Sequence, residues 1–324
     1  MTAPIKRREL LLGLAALPLA SRGAVAEAYP SRPVRILVAT SAGGGTDLVS
    51  RIIAQWLSER LKQSFFVEDR PGGGNNIGTE MAARSVADGY TLFMANTVNT
   101  INNSLYQNLN YNFIADFAPI ANIMGTPLLL LVNPSVQAKN TAELIALAKA
   151  NPGKLNLASG GVGSTGHLSA ELFQMMTGVK FNHVPYRGES LALTDLLAGE
   201  AQVMFSTTGS SLQSAKAGTV RALATTTDGR VADLPDVPPL SQTVPGYRAD
   251  AWNGLCAPKG IQAEVIALLN KEVNLALADS AIKERIANLG GVVLPGSPED
   301  LGRTIAADTE KWAKVVQFSG ARVN

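Results

Sequence analysis

The chain has 324 residues, with 28 Lys+Arg against 26 Asp+Glu, one Cys and two His. A single cysteine excludes an intramolecular disulfide framework and a Cys-rich zinc site, and two histidines exclude a three-His metal site within one chain. The near balance of charge argues against a nucleic-acid-binding face, and 46% hydrophobic with 17% charged residues is the composition of a packed globular protein of about two domains.

The chain opens on Lys6-Arg7-Arg8, continues with an uncharged run from Leu10 to Ala20, and then uses small residues up to Ala28. This is the basic, apolar, small-residue order of an export signal. The run falls short of the about 20 residues that span a bilayer. Two small-x-small cleavage sites fit, Ala24-Val25-Ala26 and Ala26-Glu27-Ala28, and cutting after Ala28 is favoured. Arg7-Arg8 keeps the twin-arginine route open beside the general one. No cysteine follows the run, so no lipid anchor is expected. Residues 1–28 carry four positive and two negative side chains, and their removal leaves 24 of each sign. The mature chain is then formally neutral. It is expected to be soluble in the periplasm, because no later run of about 18 apolar residues exists.

Short apolar or β-branched runs alternate with stretches of helical period along the mature chain. Val34–Ala39 reads as a strand, followed by Gly43-Gly44-Gly45 and a helix over Thr46–Lys62. In that helix Leu48, Val49, Ile52, Ile53, Trp56, Leu57 and Leu61 share one face. Phe65–Asp69 reads as a strand, Pro71–Asn76 as a loop, Ile77–Val86 as a helix and Thr91–Ala95 as a strand. This β-α-β-α-β order implies a parallel sheet covered by helices. The grammar restarts with strand Leu128–Val132, helix Thr141–Ala150 and strand Leu155–Ser159, and a second Gly-rich turn leads to a helix ending at Thr177. Strand Phe181–Val184, helix Ser190–Ala198, strand Gln202–Phe205, helix Ser210–Ala217 and strand Arg221–Thr225 follow, then a Pro-rich loop, Asp233–Pro245. The tail holds a strand-like run, Asn253–Ala257, and helices at Ala263–Ala278, Ser280–Leu289 and Pro298–Ser319. If the tail packs on the first module, the chain crosses between modules twice. That is the topology of a two-lobed clamp with its ligand in the cleft. Cys256, inside an apolar run, reads as a small core residue, and Trp252 as a core or cleft-wall residue.

The first Gly-rich turn, Ala39-Thr40-Ser41-Ala42-Gly43-Gly44-Gly45-Thr46-Asp47, sits between a strand and a helix. In an α/β sheet this is the carboxyl end of a strand, where ligands bind. Glycine lets the backbone approach a ligand closely, and the first N–H groups of a helix attract an anion. The dinucleotide fingerprint fails, since Leu48 stands where a third small residue is needed. A tight turn capped by Thr46 or Asp47 is the structural alternative. The second turn, Ser159-Gly160-Gly161-Val162-Gly163-Ser164-Thr165-Gly166-His167-Leu168, copies the spacing of a phosphate loop. It has His167 and Leu168 in place of Lys and Ser/Thr, so nucleotide hydrolysis is not expected. Two such turns, one per module, suit the grip of one anion from both sides. A hydrolase using Ser164 with His167 is the enzymatic alternative, although Val162 stands where a nucleophile elbow needs Gly. His183-Val184-Pro185-Tyr186-Arg187-Gly188 ends a strand and offers an amphipathic ring and a cationic fork.

Taken together these residues resemble the periplasmic solute receptors of tripartite tricarboxylate transporters, the Bug family. The likeness is carried by Tyr29-Pro30-Ser31-Arg32-Pro33, Gly43-Gly44-Gly45-Thr46-Asp47 and Glu68-Asp69-Arg70-Pro71-Gly72-Gly73-Gly74-Asn75-Asn76-Ile77-Gly78. It continues through Asp88-Gly89-Tyr90-Thr91-Leu92, Asp116-Phe117-Ala118-Pro119, Val184-Pro185-Tyr186-Arg187-Gly188 and Leu234-Pro235-Asp236-Val237-Pro238. It implies an α/β, type II periplasmic-binding-protein fold, with two α/β lobes, a ligand cleft between them and hinge crossovers. Lobe 1 is expected from residues 29–125 plus 251–324, and lobe 2 from 126–250. The resemblance also implies capture of a small organic anion, a mono- or dicarboxylate, and its delivery to membrane permease subunits, without catalysis.

By that likeness Ala42, Gly43, Gly44, Gly45, Thr46 and Asp47 hold a carboxylate from lobe 1, with Asn96 and Thr97 from the loop after the third strand. Ser164, Thr165 and His167 face them from lobe 2, with Tyr186, Arg187 and Gly188 beside the cleft. Ser206 and Thr207 stand where the family often has Asp-Asn, which argues for a ligand without an amine. A monomer is expected, with no metal, cofactor or nucleic-acid partner. A ligand sensor feeding a signalling partner would use the same clamp.

Overall fold

The computed structural model describes residues 29–323. The expected export signal, residues 1–28, lies outside the described residues. The chain begins with β1 (Val34–Val38), α1 (Gly45–Leu61), β2 (Phe65–Asp69), α2 (Asn76–Ala83) and β3 (Thr91–Asn96). β1 pairs in parallel with β2 on one side and β3 on the other. Successive residues of a strand point to opposite faces. Val34, Ile36 and Val38 therefore pack with Val49, Ile53 and Leu57 of α1, while Leu37 packs on the other face with Ala82 of α2. Both faces are covered, which is why the strand is apolar at every position but Arg35, which pairs with Glu68.

Next come α3 (Thr97–Leu105), α4 (Phe113–Asp116) and β4 (Phe117–Val132). Here the structure departs from the sequence reading in two places. The segment from Asn96 on is a capped helix rather than a loop. The Asn96 side chain accepts from Val98 N–H at 3.0 Å, and Asn99 Oδ1 accepts from Asn96 N–H at 2.8 Å. These bonds satisfy donors at the start of a helix whose polar, Asn-rich sequence reads as a loop. β4 is also three times the length expected, 16 residues instead of Leu128–Val132. Pro119 and Pro127 disguise it, and the register shifts beside Pro119 and Asn122 absorb the interruption.

The second half of the chain continues with α5 (Thr141–Ala150), β5 (Asn156–Ser159), α6 (Thr165–Thr177), β6 (Asn182–Pro185) and α7 (Glu189–Ala198). Then come β7 (Val203–Thr207), α8 (Thr208–Lys216) and β8 (Arg221–Thr225). β5 runs parallel to β6 and β7. β7 and β8 run antiparallel to the last residues of β4. β9 (Asp250–Pro258) then returns to the first sheet, lying antiparallel between β3 and β4. The chain finishes with α9 (Ala263–Ala278), α10 (Ser280–Asn288), β10 (Val292–Val293) and α11 (Pro298–Ser319).

The resulting strand order is β2-β1-β3-β9-β4-β7-β5-β6, with β8 and β10 also paired to β4. β4 belongs to both sheets: Phe117–Pro127 pair with β9, and Leu128–Val132 pair with β7 and β8. The molecule has the two-lobed binding fold expected. Its last helix touches both lobes. Leu301 and Ile305 of α11 pack in the core around Phe93, whereas Trp312, Val315 and Val316 pack in the core around Phe173 and Phe205. Cys256 and Trp252 are both buried core residues. Among the described residues no helix is long and apolar enough to cross a membrane.

Candidate ligand-binding site

Strand register locates the cleft. Thr207, the last residue of β7, pairs with Leu128, where β4 has just entered the second sheet. Asn96, the last residue of β3, pairs with Asn253, near the start of β9. The carboxyl ends of the parallel strands in the two sheets therefore face each other across β4 and β9. That is where an open α/β sheet binds its ligand. Both glycine turns lie on these edges.

In the first turn Gly43 adopts φ +79°, a conformation that glycine takes without strain. Ala42, Gly43, Gly44 and Gly45 are exposed and Thr46 is half-buried. Gly44, not Thr46 or Asp47, is the N-cap of α1. Asp47 is 2% exposed. Its Oδ2 accepts from Gly43 N–H at 2.7 Å, and its Oδ1 meets Arg51 Nε at 2.7 Å. Arg51 also reaches Asp69 at 2.9 Å. Asp47 thus braces the turn from behind. The N–H groups of Gly45, Thr46 and Asp47 have no hydrogen-bond partner among the described residues. They are the orphan donors at the positive end of a helix of 17 residues. Thr46 Oγ1 accepts from Asn253 Nδ2 at 3.0 Å, which leaves its own proton free to donate.

Asn96 and Thr97 have structural partners. Asn96 caps α3, and Thr97, 1% exposed, accepts Trp252 N–H of β9 at 2.9 Å. These bonds tie the end of β3 to the crossover strand.

In the second turn Ser164 caps α6 by accepting His167 N–H at 3.3 Å. Gly163 N–H donates to His167 Nδ1 at 3.2 Å, so that nitrogen is unprotonated and the ring proton sits on Nε2, 3.6 Å from Glu171 Oε1. The His167 ring stacks on His183, and His183 Nε2 is hydrogen-bonded to Ser159 Oγ at 2.6 Å. Burial, and then the neighbouring His183, push the His167 pKa down to about 3. Burial also lowers that of His183 and raises that of Glu171. His167 is therefore a neutral buried support. Ser164 and Thr165 are half-buried, and the N–H groups of Thr165 and Gly166 have no partner among the described residues. A Cβ on Gly166 would collide with the Phe205 carbonyl, which is how α6 comes so close to β7. The Ser164/His167 hydrolase has no geometry here: Ser164 Oγ is engaged by a backbone N–H, and neither imidazole nitrogen is bonded to it.

In the third cluster Tyr186 OH donates to Asp195 Oδ2 at 2.6 Å, which pushes the phenol pKa up to about 12. Arg187 is exposed and has no ion pair or hydrogen bond among the described residues. Gly188, at φ +128°, starts α7. The hydroxyls of Ser206 and Thr207 are both bonded to Glu189, a residue that no motif singled out. Asn253 was likewise missed. Both act through partners remote in sequence. Among the described residues no group of three or more His, Cys, Asp or Glu could hold a metal ion.

Comparison with known proteins identifies the family. Residues 49–321 match the family model described as tripartite tricarboxylate transporter family receptor. The chain belongs to that family. Protein BugT of Bordetella pertussis is 35% identical to it over 301 residues, covering 92% of each chain. Among solved structures, R. palustris Rpa4515 with adipate superposes with a TM-score of 0.79 at 35% identity, covering 90% of this chain and 98% of that one. MatC from Rhodopseudomonas palustris with bound malate superposes with a TM-score of 0.76 at 28% identity, covering 89% and 100%. The family is one of receptors, not enzymes.

Proposed function

We propose that this receptor captures a small organic carboxylate between its lobes and hands it to membrane permease subunits. The observation that carries the reading is the run of orphan N–H groups at Gly45, Thr46 and Asp47 on an exposed turn. The orphan donors of Thr165 and Gly166 sit on the opposing edge. Adipate and malate in relatives of the same fold support it. In this reading the N–H groups of Gly45, Thr46 and Asp47 receive the carboxylate at the exposed turn Ala42–Gly45, the Asp47 side chain braces that turn, and Ser164, Thr165 and Arg187 close on the ligand from the second lobe. His167 supports the turn from below. Lobe 1 comprises residues 29–125 plus 251–324 and lobe 2 residues 126–250, the crossovers of β4 and β9 supporting the division. Contacts made by both lobes at once favour the closed state, and that differential affinity drives closure. The chain is exported, cut near Ala28, and acts as a monomer.

A thermal-shift screen of mono-, di- and tricarboxylates tests this reading, since a ligand that binds only the folded state raises its melting temperature. A hit whose shift vanishes in Gly44→Leu supports the site. A shift that survives in Gly44→Leu places the ligand elsewhere, and stabilisation by amines or sugars alone refutes the carboxylate class.

A further inference from the structure

The second lobe carries a carboxylate in its strand-end edge. Glu189 is the first residue of α7, and its side chain reaches the end of β7. Oε1 accepts from Ser206 Oγ at 2.8 Å and from Thr207 N–H at 2.6 Å. Oε2 accepts from Thr207 Oγ1 at 3.0 Å and from Ser210 Oγ at 3.1 Å. Two donors on each oxygen are a full complement for a carboxylate. They are also the donors that would receive an anionic ligand: three hydroxyls and a backbone N–H where α8 begins. The edge is the one that bears the second glycine turn, since a Cβ on Gly160 would lie 3.1 Å from Glu189 N.

We infer that Glu189 is a specificity-determining residue. It fills the anion position at Ser206 and Thr207 with the chain's own carboxylate, so the receptor accepts monocarboxylates and discriminates against α,ω-dicarboxylates. The inference rests on the interlobe site proposed above. A ligand's second carboxylate would find these donors occupied and would face the negative charge of Glu189. Both effects reject the wrong ligand rather than favour the right one. Arg187, the cation nearest in sequence, closes on the ligand from the same lobe, but being exposed it is screened by solvent and offsets only part of that charge. The acidic group missing at Ser206-Thr207 is thus supplied by α7, and the argument from its absence against an amine on the ligand falls.

Calorimetric titration of the purified receptor with hexanoate against adipate, and with butyrate against succinate, tests the assignment. The parent should bind each monocarboxylate at least about tenfold more tightly than its partner, and Glu189→Ala and Glu189→Gln should each gain at least about tenfold for the dicarboxylate. A parent that prefers the dicarboxylates, or a ratio that neither variant alters, overturns it. Gly44→Leu separates the two possible failures. If it retains carboxylate affinity, the interlobe site is wrong. If it loses both ligands while the Glu189 variants keep the parental ratio, only the role of Glu189 is wrong.

Discussion

The imidazole of His167 lies flat on that of His183, with ring centroids 4.0 Å apart and planes 15° from parallel. One face of the stack supports the glycine turn of the second lobe, because His167 Nδ1 accepts Gly163 N–H. A protonated ring would turn that acceptor into a second donor and place a cation beside His183 in a buried site. Glu171, the acid nearest the ring, is itself shifted toward its neutral form by burial.

Stability should therefore depend on pH in a defined direction. The folded-state pKa of His167, about 3, lies below its ordinary value of 6.5. In that window the unfolded chain binds the proton and the folded chain does not, so stability is full above 6.5 and falls as the pH drops toward 3. Thermal melts at about pH 7 and pH 4 should show a smaller difference for His167→Gln than for the parent. An equal difference would mean that other groups carry the acid sensitivity.

Adjacent glycines of the first turn should behave differently. Gly43 has φ +79°, whereas Gly44 has φ −76°, which any residue adopts. Gly43→Ala should cost about 1–2 kcal/mol of stability. Gly44→Leu should fold nearly as well as the parent and lose at least about a hundredfold in ligand affinity, close to 2.7 kcal/mol. Denaturant titration and calorimetry on the same preparations separate the two effects.

Asp47→Ala should act on the ligand through the turn, since it removes the brace and keeps the residue's own N–H. It removes the acceptor of Gly43 N–H and leaves Arg51 with Asp69 alone. The expected destabilisation is about 1.5–3 kcal/mol, the range for a hydrogen bond to a charged group. Affinity should fall as well, because the unbraced turn must be ordered on binding. Unchanged affinity would place the carboxylate elsewhere.

Trp312→Ala should cost about 3–5 kcal/mol, as for other large buried aromatics. It should also cut the coupling between the lobes, because Trp312 anchors α11 in the second core while Leu301 anchors it in the first. Small-angle scattering with and without ligand should show a broader unliganded ensemble in the variant.

What was legible in the sequence was what neighbouring residues decide. β2, α5, β8, α9 and α11 begin and end where their apolar period and caps place them. Asn140 and Ser297 cap the starts of α5 and α11 through residues three positions on. The two glycine turns were readable for the same reason, since strand, glycines and helix are contiguous. The illegible parts depend on remote partners. The first half of β4 is a strand because β9 pairs with it, with Pro127 opposite Asp250, and its own prolines argue against it. Glu189 meets Ser206 and Ser210 across 17 and 21 residues of chain. Asp47, one residue inside the turn, reads as a ligand contact, and only the Gly43 and Arg51 geometry shows that its carboxylate braces the turn.

The placement of β9 fixes an order of completion for the nascent chain. Cys256 pairs with Phe93 on one side and with Pro119 on the other. The first sheet is thus synthesised first but closed last, and β3 and β4 keep an unpaired edge until the whole middle lobe has been made. The middle lobe lacks that delay, because all its strands lie within one continuous stretch. Contacts of such long sequence separation form slowly, and an open edge is prone to aggregation in the meantime. The strand that crosses back between the two lobes is therefore also the one on which folding waits.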